Sequence, residues 1–241
     1  AEQQSSHTTR AIVRGDAYAF SEHEGKGVTV AVMDTGVYAE HDDFGGRVVD
    51  QISCVEGSYQ VGDVHGHGTH VAGSIGGATL GVAAEASILD LRVFGPYGGA
   101  STSSILRALN LCVQRNVDIV NMSLGSNYAS RVLDAAVDAT AQAGVLTCVA
   151  AGNSGPSAYT INSPASAQQS IAVAATRSDG QVASFSSRGP NPWYAWAKPD
   201  IASFGVNVIS ASHRGGTCVM SGTSMATPAV AGVLACLVER F

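Results

Sequence analysis

Apolar stretches rich in β-branched residues alternate along this chain with segments of helical periodicity, and this alternation constrains the fold most strongly. Residues 28–33 have the continuous apolar character of a central parallel strand. The same reasoning predicts strands at 87–94, 117–122 and 145–151, and helices at 103–115 and 130–143. Strands and helices in turn imply right-handed crossovers. We predict an α/β fold with a doubly wound, mostly parallel central sheet and helices on both faces.

The length of 241 residues suits one sizeable domain better than two. No internal repeat or low-complexity linker divides the chain. We therefore expect a single domain over residues 1–241, with an N-terminal arm at 1–27 and a core at 28–241. The arm is expected to be irregular, with a short helix around residues 15–21.

The charge of the chain argues against two classes of partner. The formal net charge is −6 and no cluster of Lys and Arg is present, so neither nucleic acid nor an anionic membrane is an expected partner. No apolar run reaches the length of a membrane span. The five cysteines include no Cys-x-x-Cys spacing, which disfavours a zinc or thioredoxin-type site and leaves their pairing open.

Three polar residues stand where predicted elements begin or end. Asp34 closes the first strand, at the sheet edge where catalytic groups collect in α/β folds. His67 and Ser224 each start a helix, and the helix N-terminus offers free N–H groups to a developing oxyanion. A serine becomes a nucleophile when an imidazole removes its proton and a carboxylate orients that imidazole. These three residue types therefore point to nucleophilic hydrolysis.

The signature blocks of subtilisin-like serine proteases resemble three segments of this chain: Asp-Thr-Gly from Asp34, His-Gly-Thr-His-Val-Ala-Gly from His67, and Gly-Thr-Ser-Met-Ala-Thr-Pro from Gly222. Their order, Asp, His, Ser, is also that of the family. The segment ending at Asn153 is similar to the block that carries the oxyanion-hole asparagine, and Ser123-Leu124-Gly125 resembles a wall of the substrate cleft. The resemblance extends from about residue 28 to residue 237. One family position departs, because Ala229 stands where a histidine is usual.

The resemblance implies a serine endopeptidase that acts through an acyl-enzyme. Ser224 would be the nucleophile, His67 the base, Asp34 the orienting acid and Asn153 an oxyanion donor. The residues expected to bind substrate are Gly98, Gly99, Ala100, Ser123, Leu124, Gly125, Ala151, Gly152 and Asn162. Binding of an extended peptide main chain predicts broad specificity. The absence of an acidic wall residue predicts an apolar or uncharged residue at P1, the position before the scissile bond.

A second apolar pocket is expected between Ile105 and Leu124. No cofactor is expected to be required for catalysis. The segment 73–81 is short, as in proteinase K-like members, and lacks the insertion that forms the strong calcium loop of bacterial subtilisins. Asp43 is therefore expected to be a surface carboxylate and not a calcium ligand. A weak structural calcium site is left open at Asp200, with carbonyl groups around Gln169 and Ile171, because calcium prefers oxygen ligands.

The family resemblance also predicts partners and location. Protein or peptide substrates are expected, and the protein is expected to be a secreted monomer. Whether an inhibitory propeptide is a further partner is left open. Two other functions remain as alternatives. A cluster of His65, His67 and His70 could serve a metal-dependent hydrolase, although the glutamate of the His-Glu-x-x-His motif is missing. The chain could also be an inactive subtilase-fold binding scaffold, although no member of the triad is missing. An aspartic protease would need a second Asp-Thr-Gly or Asp-Ser-Gly segment, which the chain lacks.

Overall fold

The computed structural model describes residues 7–15, 22–126 and 128–241. The strands are β1 (His7–Thr8), β2 (Thr29–Asp34), β3 (Val48–Ser53), β4 (Ser87–Arg92), β5 (Ile119–Met122), β6 (Leu146–Ala150), β7 (Ile171–Thr176), β8 (Ile201–Phe204), β9 (Val208–Ala211) and β10 (Thr217–Met220). The α-helices are α1 (Thr9–Gly15), α2 (His67–Gly76), α3 (Thr102–Gln114), α4 (Arg131–Gln142) and α5 (Thr223–Arg240), with a 3-10 helix at Asp42–Phe44.

Seven strands form one parallel sheet in the order β3-β4-β2-β5-β6-β7-β8. After β2, the chain forms β3 and β4 on one side of β2. It then forms β5, β6, β7 and β8 on the other side. Strand order therefore reverses between β2 and β5, and in such sheets the crevice at the carboxyl ends of these strands receives ligands. The predicted doubly wound α/β fold is confirmed.

Successive residues of β2 point to opposite faces of the sheet, as the pleat requires. Val30 and Val32 pack in one hydrophobic cluster, which includes residues of α2 and α5. Ala31 and Met33 pack in a second cluster with residues of α3 and α4. Both faces are covered, which explains why β2 is apolar throughout.

The N-terminal arm differs from the prediction. It contains α1 and the short strand β1, whose His7 and Thr8 pair in parallel with Val208 and Ile209 of β9. β10 pairs with β9 in an antiparallel direction and completes a separate three-stranded sheet. Residues 16–21, which make up most of the predicted helix at 15–21, lie outside the described residues.

Two absences concern the described part of the chain. None of its helices is long and apolar enough to cross a membrane. It also contains no disulfide. Cys54, Cys112 and Cys148 are fully buried, and burial raises the pKa of the Cys54 thiol to about 11 and of the Cys112 and Cys148 thiols to about 12. These thiols therefore behave as small apolar side chains.

Candidate active site

The register between β2 and β5 places the candidate residues at one edge of the sheet. Val32 lies opposite Asn121, and Asp34 and Ser123 each follow two residues later. Both therefore lie at the carboxyl edge, beside the point where strand order reverses. Ser123 in turn contacts Ser224 at the start of α5, which connects the two halves of the site.

Asp34 and His67 form a direct hydrogen bond. His67 Nδ1 lies 2.7 Å from Asp34 Oδ1, and the same oxygen accepts the N–H of Thr35 at 2.7 Å. Asp34 is fully buried, whereas the His67 side chain retains 23% of its exposure. The pair thus combines a fixed carboxylate with an imidazole whose other nitrogen, Nε2, is available to a reacting group.

The surroundings of His67 favour its protonated form. Burial by itself would lower the pKa of His67, but the charge of Asp34, the hydrogen bond that His67 donates to Asp34 and the charge of Asp63 together raise it. An imidazole with a raised pKa is a stronger base once it is neutral.

Asp63 is a structural part of the site that the sequence reasoning missed. Its Oδ1 accepts from Thr35 Oγ1 (2.9 Å), His65 N (2.9 Å) and Gly66 N (2.8 Å). Its Oδ2 accepts from Thr69 N (2.9 Å) and Thr69 Oγ1 (2.6 Å). Burial raises the pKa of Asp63, but these hydrogen bonds outweigh it and leave the pKa lowered.

Asp63 therefore joins the residue after Asp34 to the first turn of α2, which carries His67. The N-cap of this helix is Gly66, which has no side chain with which to cap it. A signal was available in the sequence, because Asp63 lies shortly before the predicted helix start at His67, and acidic side chains near a helix N-terminus are stabilising.

Ser224 is the second residue of α5, after the N-cap Gly222 and the first residue Thr223. Its Oγ donates to the carbonyl oxygen of Ser123 at 3.2 Å. The hydroxyl does not form a hydrogen bond with His67 in this structure. The Ser224 hydroxyl must therefore leave Ser123 O before it can interact with His67, and such bonds are often long or unformed without substrate.

Asn153 is held by its carbonyl oxygen. Asn153 Oδ1 accepts from Thr223 N at 2.9 Å and from Thr223 Oγ1 at 3.0 Å. Because Thr223 donates both hydrogen bonds, the Asn153 atom that faces it is the amide oxygen. The amide nitrogen, Nδ2, is then available to donate to another group. Asn153 and Ser224 line the same pocket, so the amide donor and the hydroxyl share one space.

This pocket has a volume of about 400 Å³. Its lining includes most of the predicted binding residues and no acidic side chain: Ser123, Leu124, Gly125, Ala150, Gly152, Asn153, Ser154, Asn162, Thr223 and Ser224. Ala151 is not among them, because its side chain is fully buried in the core; Ala150, the last residue of β6, lines the pocket instead.

A second pocket, of about 310 Å³, lies beside the first. Leu124 and Gly125 line both pockets. The predicted partner Ile105 lines the second one, as do Gly98, Gly99 and Ala100. These three residues belong to a turn closed by a hydrogen bond from Gly95 N to Gly99 O and by a bridge between Phe94 and Ala100.

The histidine cluster is not assembled as a metal site. His70 is fully buried, its Nε2 lies 3.0 Å from the carbonyl oxygen of Val208, and burial lowers its pKa to about 4. Within residues 7–15, 22–126 and 128–241, no three His, Cys, Asp or Glu side chains are grouped to hold a metal ion.

The two carboxylates considered for calcium have protein partners. Asp43 accepts from Thr79 N (2.9 Å) and Thr79 Oγ1 (2.6 Å), so it organises the turn after α2. Asp200 accepts from the ammonium group of Lys198 at 2.7 Å. The pairing of Asp200 with Lys198 was not expected from the sequence.

The profile of the subtilase family (Peptidase_S8) matches residues 25–241. The chain is 38% identical to the serine protease AprX of Bacillus subtilis (strain 168), over 90% of this chain and 58% of that protein. It is 40% identical to subtilisin-like protease 2 of Pseudogymnoascus destructans, over 92% of this chain and 54% of that protein.

The chain therefore spans little more than half the length of these curated relatives. A crystal structure of a cold-adapted subtilisin-like serine proteinase matches with a TM-score of 0.82 and 38% sequence identity, covering 91% of this chain and 78% of that chain. Together with the profile match and the parallel sheet, these similarities show that this chain belongs to the subtilase family.

Proposed function

We propose that this chain is a serine endopeptidase that cleaves peptide bonds through an acyl-enzyme. The observation that carries the proposal is the 2.7 Å hydrogen bond between Asp34 and His67, at the sheet edge where Ser123 also contacts Ser224. The names of the relatives AprX and subtilisin-like protease 2 agree with this activity.

In the proposed mechanism, Ser224 Oγ leaves its contact with Ser123 O and turns toward His67. His67 Nε2 takes the hydroxyl proton while Ser224 Oγ attacks the scissile carbonyl carbon. The proton then passes from His67 to the leaving amine. Water takes the place of the amine and attacks the acyl carbon while His67 removes a proton from it, and this proton returns to Ser224 Oγ as the acid product is released. Asp34 keeps Nδ1 protonated and stabilises the imidazolium that forms.

The developing negative charge needs fixed donors. Asn153 Nδ2 and the backbone N–H of Ser224 are proposed to hold the oxyanion, which is supported by the shared pocket and by the anchoring of Asn153 Oδ1 on Thr223. Because Asn153 is anchored before substrate arrives, little reorganisation is required at the moment of reaction.

Substrate is proposed to bind as an extended strand between residues 98–100 and 123–125, with P1 in the 400 Å³ pocket. No acidic side chain lines that pocket, so it offers no partner to Lys or Arg at P1. The 310 Å³ pocket, lined by Ile105 and Leu124, is proposed to receive an apolar side chain further along the peptide.

The test is hydrolysis of a peptide anilide with an apolar P1 residue, with and without a sulfonyl fluoride that modifies active serines. We expect turnover that one covalent adduct on Ser224 abolishes, detected by intact mass and peptide mapping. Ser224→Ala is expected to lose both turnover and adduct while keeping the thermal transition of the parent. Folded protein without turnover or adduct would favour the binding-scaffold alternative, and activity lost to a chelator but retained by Ser224→Ala would favour the metal hydrolase.

A further inference from the structure

The ammonium group of Lys198 lies in a cage of oxygen atoms. Its side chain is 1% exposed, and Nζ donates to Asp200 Oδ2 at 2.7 Å, to Gln168 O at 3.4 Å and to Ser170 O. An ammonium group has three donors, and here each has one acceptor. A buried charge of this kind is tolerated because it is paired and fully hydrogen-bonded.

The cage connects two segments near the edge of the main sheet. Gln168 and Ser170 precede β7, whereas Asp200 directly precedes β8, the last strand of the sheet. Asp200 Oδ2 also accepts the N–H of Ala172 at 2.8 Å, and Asp200 N donates to Ala172 O. The cation at the centre thus holds the loop before β7 to the start of β8.

One carboxylate and two carbonyl groups are also ligands suited to a metal cation. A weak calcium site was expected at Asp200 with carbonyls around Gln169 and Ile171. The carbonyls that face the centre belong instead to Gln168 and Ser170, while Gln169 O accepts from Thr147 Oγ1 at 3.4 Å. The expected site does not fit a metal ion, because Lys198 Nζ already takes the central position and carries the positive charge.

We propose that Lys198 is a built-in cation that takes the place of a metal ion at this position. The tethered ammonium neutralises Asp200 and joins the 168–170 loop to β8 without any dissociable ligand. Removal of the ammonium alone leaves the oxygen cage, which then accepts a small cation from solution. This inference does not depend on proteolytic activity.

The test compares Lys198→Ala, which empties the cage, with the matched variant Lys198→Met, which keeps most of the length of the side chain but ends in an uncharged methyl group. Thermal unfolding is measured on sulfonyl-fluoride-treated protein in EDTA with choline chloride, and again with CaCl₂ or NH₄Cl at equal ionic strength. Choline is too large to enter the cage and controls for screening. We expect Lys198→Ala to melt about 5 °C or more below the parent in choline, and to recover at least half of that loss in CaCl₂ or NH₄Cl.

The parent and Lys198→Met are expected to show a smaller response to the same salts, and Lys198→Ala combined with Asp200→Asn is expected to lose the recovery. Calcium binding by calorimetry gives a second readout, with one more site in Lys198→Ala than in the parent. The proposal is overturned if Lys198→Ala responds to cations no more than Lys198→Met does. It is equally overturned if Lys198→Ala stays unfolded in every salt, since the emptied cage would then hold no cation.

Discussion

Ser123 and Ser224 exchange two hydrogen bonds: Ser123 Oγ donates to the carbonyl oxygen of Ser224 at 2.9 Å, and Ser224 Oγ donates to the carbonyl oxygen of Ser123 at 3.2 Å. In a regular helix, the N–H of residue 228 would bond to Ser224 O, but Pro228 has no N–H. The Ser123 hydroxyl therefore satisfies a carbonyl group that the helix leaves unpaired, and it fixes the start of α5 against the end of β5.

Ser123→Ala is expected to destabilise the protein by about 1–3 kcal/mol, because Ser224 O loses its partner in a mostly buried place. Turnover is expected to fall as well, since the start of α5 is no longer held. Chemical denaturation and kcat on a peptide anilide measure the two effects. Pro228→Ala supplies an N–H to Ser224 O, so the cost of Ser123→Ala should be smaller in that background; an equal cost in both backgrounds would contradict the explanation.

Asp63→Asn is expected to shift the acid limb of the kcat/KM profile to lower pH. The charge of Asp63 raises the pKa of His67, and the base must be neutral to act, so removing that charge lets His67 lose its proton at lower pH. In the parent, the limb is expected above about 6.5, the ordinary histidine value.

A loss of activity alone would be compatible with a purely structural role of Asp63, so the position of the limb is the deciding readout. Glu56→Gln, which removes an exposed negative charge, is the control and should leave the limb in place. An unshifted limb in Asp63→Asn would remove Asp63 from the electrostatics of the site.

The variants Asn153→Ala and Asn153→Asp distinguish the role of the amide nitrogen of Asn153 from the role of its amide oxygen. Both variants lose the Nδ2 donor, so kcat is expected to fall about 10²–10³-fold, the effect known for removing the oxyanion-hole asparagine of a subtilisin. Only Asp keeps an oxygen to accept from Thr223, so Asn153→Asp should melt closer to the parent than Asn153→Ala. A kcat in either variant within a few fold of the parent would exclude Asn153 as an oxyanion donor.

Asp90→Asn is expected to change how stability depends on pH. Asp90 is fully buried on β4, where burial and the charges of Asp63 and Asp34 raise its pKa to about 7, although hydrogen bonds from Gln51 and Val37 oppose the increase. The folded state then holds a proton that the unfolded state releases near 3.9. This contribution to stability is complete below about pH 4 and is lost as pH rises through about 7.

Asparagine stays neutral and can accept from Gln51 and Val37 in the same way. The melting temperature of Asp90→Asn relative to the parent should therefore rise from pH 4.5 to pH 8, as measured by differential scanning fluorimetry. Asp50→Asn, on β3 with a side chain that is 43% exposed and paired with Arg115, serves as the control. A constant difference across this range would mean that Asp90 does not titrate there.

The sequence by itself determined the central strands β2, β4, β5 and β6 and the positions of Asp34, His67 and Ser224 at element ends, whereas the edge strand β3 was not predicted. Continuous apolar strands alternating with helices are compatible with few other topologies, since each face of such a sheet must be covered. The family resemblance, read from the blocks around these residues, is confirmed by the profile match. The roles of the three residues stay predictions for the kinetic tests.

Only the tertiary structure decided which side chains support the site. Asp63 binds Thr35 and Thr69, Lys198 fills the cage at Asp200, and Ala150 rather than Ala151 lines the pocket. The pattern of hydrophobic residues specifies which face of an element is buried. It does not specify where a loop carbonyl points or which distant side chain reaches it, because these contacts depend on how separate segments meet after the sheet has formed.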